Sequence, residues 1–343
     1  MKSGSKATSF DIAYRAGVSQ STVSRALRNS PLVNEETRLK IQAIAKELNY
    51  KVDKNASSLR SQESKTLALL LFEDPTSDDS QINPFFMTML GSITRASAHR
   101  GYDLLVSFQQ MDSDWHSDYE DTNKADGIIL LGYGDYVDYK EKLVQLHAQG
   151  THFVRWGAEV KDMNIATLGC DNVHGGYQVT EHLLKQNRKT CAFVGTASRR
   201  APEFFDRYKG HCQALSDAGI QVDAELQRDA ISTEEAGFAA TMALLESDKS
   251  IDALFAASDL IAIGAIRAIR EKGLQVPEDI AVAGFDDIAI AQFTRPSLTT
   301  AKQDTLLAGE MLVDNVLGLI NGQPPQTTLL PSQLVVRDSS LAK

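Results

Sequence analysis

The stretch Asp11-Ile-Ala-Tyr-Arg-Ala-Gly-Val-Ser-Gln-Ser-Thr-Val-Ser-Arg-Ala-Leu27 decides how the amino end of this chain folds. Ile12, Ala13 and Ala16 form a small apolar face at helical spacing. Gly17 ends that helix and Val18 turns inward. Ser19 can accept from the backbone N–H groups that open the next helix, the position of an N-cap. Val23 and Leu27 stand four apart and face the core. Gln20, Ser21, Ser24 and Arg25 are left on the outer face. They are short or forked donors of the kind that read base edges and phosphates. The pattern predicts a helix-turn-helix whose second helix lies in a DNA major groove. The competing reading is an ordinary helical hairpin with a polar surface.

Charge favours the first reading. Residues 1–62 hold eleven Lys/Arg and five Asp/Glu, a net +6, while the remainder holds 24 and 40, a net −16, within a chain of −10. A basic head on an acidic body is suited to touching a polyanion with the head alone. A third helix follows, with Asn34 as N-cap, Glu35 and Glu36 at the positive end of its dipole, and Ile41, Ile44, Ala45 and Leu48 as its buried stripe.

The polar segment Lys51–Lys65 comes next, with Val52, Ala56 and Leu59 as its apolar residues. Asn55–Arg60 could make a short helix that does not persist alone in water. Paired with a second copy on DNA it would be a hinge helix, with Leu59 as a wedge in a minor-groove base step. A flexible linker with an incidental leucine is the equal alternative.

From Thr66 onward apolar runs alternate with helical periods. Leu67–Phe72 reads as a buried strand, and similar runs recur at 103–107, 127–131, 152–155, 166–170, 190–194, 252–256, 280–284 and near 298–301. Helical stretches lie between most of them, such as 85–100, 139–149, 175–186, 207–218, 237–247, 259–272 and 305–321. Strand–helix alternation implies parallel sheets covered on both faces, and this many strands implies two such units in series. Ligands of such sheets bind at the carboxyl ends of the strands.

A chain of 343 residues with 43% hydrophobic and 23% charged residues is of ordinary globular composition and long enough for two or three domains. No apolar run approaches the ~20 residues of a membrane span. The charged start has no apolar segment behind it, unlike a secretion signal. Three widely spaced cysteines, Cys170, Cys191 and Cys212, point to a reducing cytosol and show no metal-ligand spacing. The phosphate-binding, dinucleotide-binding, nucleophile-elbow and His-Glu-x-x-His motifs of common enzymes do not occur. No catalytic residue, metal or cofactor is therefore expected, and the chain is expected not to be an enzyme.

At this point the residues resemble the LacI/GalR-type bacterial transcriptional regulators over essentially the full length. The headpiece phrase Ala16-Gly-Val-Ser-x-x-Thr-Val-Ser-Arg-Ala-Leu27 and Leu48-Asn-Tyr50 carry the resemblance at the amino end. In the body it is carried by Gly169-Cys-Asp-Asn172, Glu181-His-Leu183, Arg207-Tyr-Lys-Gly210, Ser258-Asp-Leu-Ile-Ala-Ile-Gly264, Val276-Pro-Glu-Asp-Ile280, Gly284-Phe-Asp-Asp287 and Leu298-Thr-Thr-x-x-Gln303.

The resemblance implies a helix-turn-helix headpiece at 1–52, a hinge helix and linker at 53–65, and an effector-binding, dimerising α/β body at 66–343 like a periplasmic binding protein. Its first lobe would hold about 66–166 plus 297–326, and its second about 167–296 plus 327–343. Ser19, Gln20, Ser21, Thr22, Ser24, Arg25, Asn29, Ala56 and Leu59 would meet DNA. Arg207 would grip effector hydroxyls or acids with its fork, and Asp286 would accept from hydroxyls. Asp171, Ser258 and Gln303 would stand at the pocket rim, and Phe72, Phe85 and Trp156 would stack on sugar rings. Core packing is the alternative for the aromatic residues, and a structural ion pair for Arg207 and Asp286.

The implied protein is cytoplasmic and nucleoid-associated, a homodimer or tetramer on a pseudo-palindromic operator, with no membrane partner. It would be a repressor of carbohydrate-utilisation genes, released by a sugar or oligosaccharide. A purine-type co-repressor-dependent regulator and a small-molecule-binding protein without a DNA role are the alternatives. Two departures stand out. Val52 replaces a proline common in the family, and Arg155-Trp156-Gly157 replaces a strand end that often carries an aspartate.

Overall fold

In a computed structural model, residues 7–50, 63–72, 82–109, 111–132, 136–159 and 163–341 are described, the side chains of 136–138 excepted. The chain divides between Ser64 and Lys65 into two compact units.

The first unit is three helices on one small core. Helix α1, Ser9–Ala16, starts on a reciprocal cap. The Thr8 hydroxyl oxygen accepts from Asp11 N–H, and the Asp11 carboxylate accepts from Thr8 N–H at 2.7 Å. Gly17 ends the helix at φ 72°, the left-handed conformation that glycine adopts without steric cost. Helix α2, Gln20–Leu27, starts at Ser19, and α3, Glu35–Glu47, starts at Asn34, whose side-chain oxygen accepts from Thr37 N–H at 2.8 Å. Ile12, Ala16, Val23, Ala26, Val33, Ile41 and Ala45 form the buried centre, with Leu27 packed half-buried at its edge. The segment 51–62 lies outside the described residues, and with it Val52, Ala56, Leu59 and the expected hinge helix.

The second unit contains two six-stranded sheets. The first runs β11-β5-β4-β3-β1-β2, built from β1 Thr66–Leu71, β2 Asp103–Phe108, β3 Gly127–Leu131, β4 Phe153–Trp156, β5 Ala166–Cys170 and β11 Thr327–Leu330. The second runs β12-β10-β9-β8-β6-β7, built from β6 Cys191–Val194, β7 Gln227–Arg228, β8 Ala253–Ala256, β9 Ala281–Asp286, β10 Thr299–Lys302 and β12 Gln333–Val335. Every strand pair is parallel except β10 with β12. The central strands β1, β3, β8 and β9 read as unbroken apolar runs because both faces are covered.

Helices α4, Pro84–His99, and α10, Thr305–Ile320, pack together on the first lobe, with α10 against β3, β4 and β5. Helix α5, Tyr136–Ala148, belongs to the same lobe, its Leu143 and Leu146 packing with residues of β1 and β3. The second lobe carries α6, Asn172–Lys185, α7, Pro202–Asp217, α8, Glu234–Leu245, and α9, Asp259–Glu271. No helix among the described residues is long and apolar enough to cross a membrane.

The lobe boundaries differ from the expected ones. Strand β5 pairs with β4 and β11 and so stays in the first lobe, whereas β10 pairs with β9 and so stays in the second. The chain therefore crosses after Cys170, after Lys302 and after Leu330, not at 166, 296 and 326. Parallel strands pair through residues far apart in sequence, so neither strand could be assigned to its sheet from its own composition.

Candidate functional site

The outer face of α2 is organised by short-range hydrogen bonds. The Ser19 hydroxyl accepts from Thr22 N–H at 3.2 Å and stands 2.8 Å from the Ser21 hydroxyl and 2.9 Å from that of Thr22. The Gln20 amide donates to Ser9 Oγ at 2.7 Å, Arg28 Nη2 donates to Ser24 Oγ at 3.0 Å, and Gln42 donates to Asn29 Oδ1 at 2.8 Å. Ser21 and Arg25 remain exposed on the same face. The seven expected headpiece residues thus fall on or beside one helix, several held by hydrogen bonds. Sequence reading passed over Phe10, 68% exposed, and Tyr14, 90% exposed, which stand one turn apart on α1.

In the body, six of the eight expected effector residues sit at strand ends, while Phe85 and Arg207 lie in the helices Pro84–His99 and Pro202–Asp217. Phe72 follows β1, Trp156 closes β4 and Asp171 follows β5, while Ser258, Asp286 and Gln303 stand at the ends of β8, β9 and β10. Residues of the two lobes meet there. Ala158 N–H, after β4, donates to Glu203 Oε1 of α7 at 2.8 Å, and Asn83 donates to Ser232 Oγ at 3.2 Å.

Arg207, Asp286 and Gln303 come together on the second lobe. The Arg207 side chain is fully buried. Its Nε donates to Asn172 Oδ1 at 2.9 Å, its Nη1 donates to the Ala257 carbonyl, and the guanidinium lies 3.8 Å from the Phe285 ring centre. Arg207 Nη1 stands 3.5 Å from Asp286 Oδ1, which also accepts from Gln303 Nε2 at 2.7 Å. Gln303 Oε1 is buried with no hydrogen-bond partner.

Burial pushes the Asp286 carboxyl up to about 6, against the opposing pull of Arg207 and Gln303. Asp286 is held at φ 112°, a region that L residues rarely adopt and that clusters at ligand sites. Beside it, Asp259 is pushed well above the usual carboxylate range, first by burial and then by Asp286. Its oxygens accept from Thr300 Oγ1 at 2.6 Å and from Ile288 N–H at 2.8 Å.

The helix carrying Arg207 is brought close by two glycines. A Cβ at Gly210 would lie 2.0 Å from Val173 O, and one at Gly176 2.2 Å from Arg207 O, so α6 and α7 meet backbone to backbone. That approach places Asn172 of α6 within reach of Arg207.

The other expected residues divide. Phe85 and Trp156 are buried against each other at 6.2 Å between ring centres, and they wall the first lobe. Phe72 is half-buried and meets Tyr139 edge-on at 6.3 Å. Asp171 and Ser258 cap helices, accepting from His174 N–H and Ile261 N–H. Sequence reading missed Asn172, Phe204, Phe285 and Glu203. Asn172 lay inside a quoted motif and could have been found. Glu203 could not, because its partners belong to the other lobe.

The model of bacterial regulatory proteins of the lacI family matches residues 10–53, and that of a periplasmic binding protein-like domain matches 180–340. The chain is 31% identical over 337 residues to the HTH-type transcriptional regulator RegA of Clostridium saccharobutylicum, covering 96% of this chain and 98% of that one. It resembles the solved complex of the transcriptional regulator CelR with cellobiose at TM-score 0.72 and 28% identity, covering 97% and 99% of the two chains. It resembles the lac repressor dimer bound to operator and the anti-inducer ONPF at TM-score 0.84 and 27% identity, covering 98% and 100%. With a helix-turn-helix that exposes Ser21 and Arg25 and a two-lobed body that buries Arg207 beside Asp286, the chain belongs to the lacI family of bacterial regulatory proteins and is a DNA-binding transcriptional regulator.

Proposed function

We propose that this regulator represses carbohydrate-utilisation genes, binds a pseudo-palindromic operator as a homodimer in the cytoplasm, and is released by a sugar or oligosaccharide. The observation that carries the reading is the buried set Arg207, Asp286 and Gln303. It offers a forked donor, an acceptor and an amide oxygen without a partner at the strand ends, the groups that pair with vicinal hydroxyls. The CelR relative solved with cellobiose and the lac repressor solved as a dimer on operator support it.

In this mechanism the exposed face of α2 enters a major groove, with Arg25 and Ser21 reading base edges and the Ser19 cap holding the helix start in register. An effector that binds the closed lobes better than the open ones shifts their population, and operator affinity falls by the same coupling. The purine-type alternative leaned on Trp156. That ring is buried, its centre 6.2 Å from that of Phe85 at an interplanar angle of 47°.

Selection of operator sequences from a random palindromic pool, followed by fluorescence anisotropy with a panel of sugars, oligosaccharides and purines, tests the reading. A sugar that weakens operator binding is expected. Release by a purine alone, or tighter binding with every active ligand, would overturn it.

A further inference from the structure

Arg155 and Glu203 form a charged contact between the lobes that no hydroxyl-binding role explains. Arg155 is the third residue of β4 in the first lobe, and Glu203 opens α7 in the second. Both side chains are more than nine-tenths buried, and Arg155 Nη2 stands 3.8 Å from Glu203 Oε1. The same Oε1 accepts from Ala158 N–H at 2.8 Å, and Arg155 Nη1 donates to Ala158 O at 2.8 Å. Ala158 is thus gripped at both of its backbone polar groups, once by each lobe.

Room for this contact is built into the chain. A Cβ at Gly157 would lie 2.1 Å from Arg155 Nη2 and 2.8 Å from Glu203 Oε1. Any side chain there would have to displace one member of the pair. Gly157 itself is held by its N–H to Leu168 O at 2.9 Å, so the turn cannot simply swing aside.

We propose that Glu203, with Arg155 as its counter-charge, is a positioning residue that latches the two lobes together before any effector binds. A carboxylate bonded across the lobes at a buried site is little screened by salt. The latch holds part of the population in the closed form. An effector that needs that form then meets a smaller conformational cost. The Asn83–Ser232 hydrogen bond is a second, neutral bridge, and Ser232 in turn donates to Ser258 at the start of α9. Opening the latch should therefore loosen this bridge as well. Only the consequence for affinity rests on the effector reading.

Amide hydrogen exchange of the full chain without ligand, read at residue level by mass spectrometry, tests the latch directly. In Glu203→Ala, exchange at Ala158 and also at Phe85, whose N–H is held by Asn83 Oδ1, should rise about tenfold or more. Strand interiors such as 128–130 and 253–255 should keep wild-type protection, which separates opening from misfolding. Glu203→Gln keeps an oxygen for Ala158 N–H and loses the charge, so it should give a smaller rise at both places and carries the test if the alanine variant does not fold. Faster exchange at Ala158 alone would make Glu203 a local turn cap and overturn the latch, as would wild-type exchange in both variants. Because no ligand is present, a failure to find a sugar effector leaves this result standing.

Discussion

The headpiece and the proposed effector site both hold polar side chains in place by hydrogen bonds, but they do so over different distances along the chain. On α2 the organising bonds span 2 to 13 residues, from Ser19 with Ser21 to Gln42 with Asn29. In the cleft they span 17 residues for Gln303 with Asp286, 35 for Arg207 with Asn172 and 45 for Glu203 with Ala158. The bonds of the Ser19 cap form with the helix itself, and those of Gln20 and Gln42 need only a neighbouring helix of the headpiece. The bonds of Gln303 and Arg207 exist only once distant strands and helices of the second lobe have assembled, and that of Glu203 with Ala158 needs both lobes.

This difference can be broken from either side. Arg207→Ala has the largest expected effect, because it strands the buried Asp286 charge and removes the bond to Asn172. Unfolding of the body in urea should show a loss of about 3–5 kcal/mol, and a loss below about 1 kcal/mol would mean that the cleft is not the long-range joint it is taken for. Arg25→Ala should weaken operator binding by about 1–3 kcal/mol at fixed salt and leave unfolding of the body untouched. Unchanged binding removes Arg25 from the interface. Ser19→Ala removes one cap and should cost about 1 kcal/mol of headpiece stability, seen as a lower melting point of that unit. An unaltered melting point would show that the Thr22 and Ser21 hydroxyls replace it.

A pH dependence at Asp286 probes the same buried set in a different way. Its folded pKa is raised above the unfolded value of 3.8, to about 6. Its contribution to stability is therefore fully present below the unfolded pKa and is lost as pH rises through about 6. Asp286→Asn should flatten the stability curve across that window. An identical curve in the variant would mean that Asp286 titrates at its unfolded value.

How much could be read in advance follows the same division. The three headpiece helices, Ser19 and Asn34 as caps, and Gly17 as a stop were legible because each depends on neighbours within a turn or two. Most central strands of the body were legible as apolar runs. Which sheet β5 and β10 join was not, since it is set by pairing with β4 and β9 rather than by their own residues. The short strands β7, β11 and β12 and the π-helical turn His116–Asp121 carried no periodic signal at all. Arg207, Asp286 and Gln303 were legible as a group through their motifs. Asp171 and Ser258 were placed at a rim, and the bonds that hold them are those of helix caps. Glu203 was silent, for an acid near a helix start usually needs no partner beyond the dipole.

The central claim is that the buried arginine–carboxylate set in the body reads a sugar and that the headpiece reports it. Operator affinity, measured by anisotropy across a panel of mono- and oligosaccharides, tests it most directly in the wild type and in Arg207→Lys, which keeps the charge and loses the fork. At least one sugar should weaken wild-type binding by about tenfold or more, the coupling of roughly 1–3 kcal/mol typical of linked sites, and the variant should lose that response. A wild type unmoved by every sugar, or a variant that responds as fully as the wild type, would contradict it.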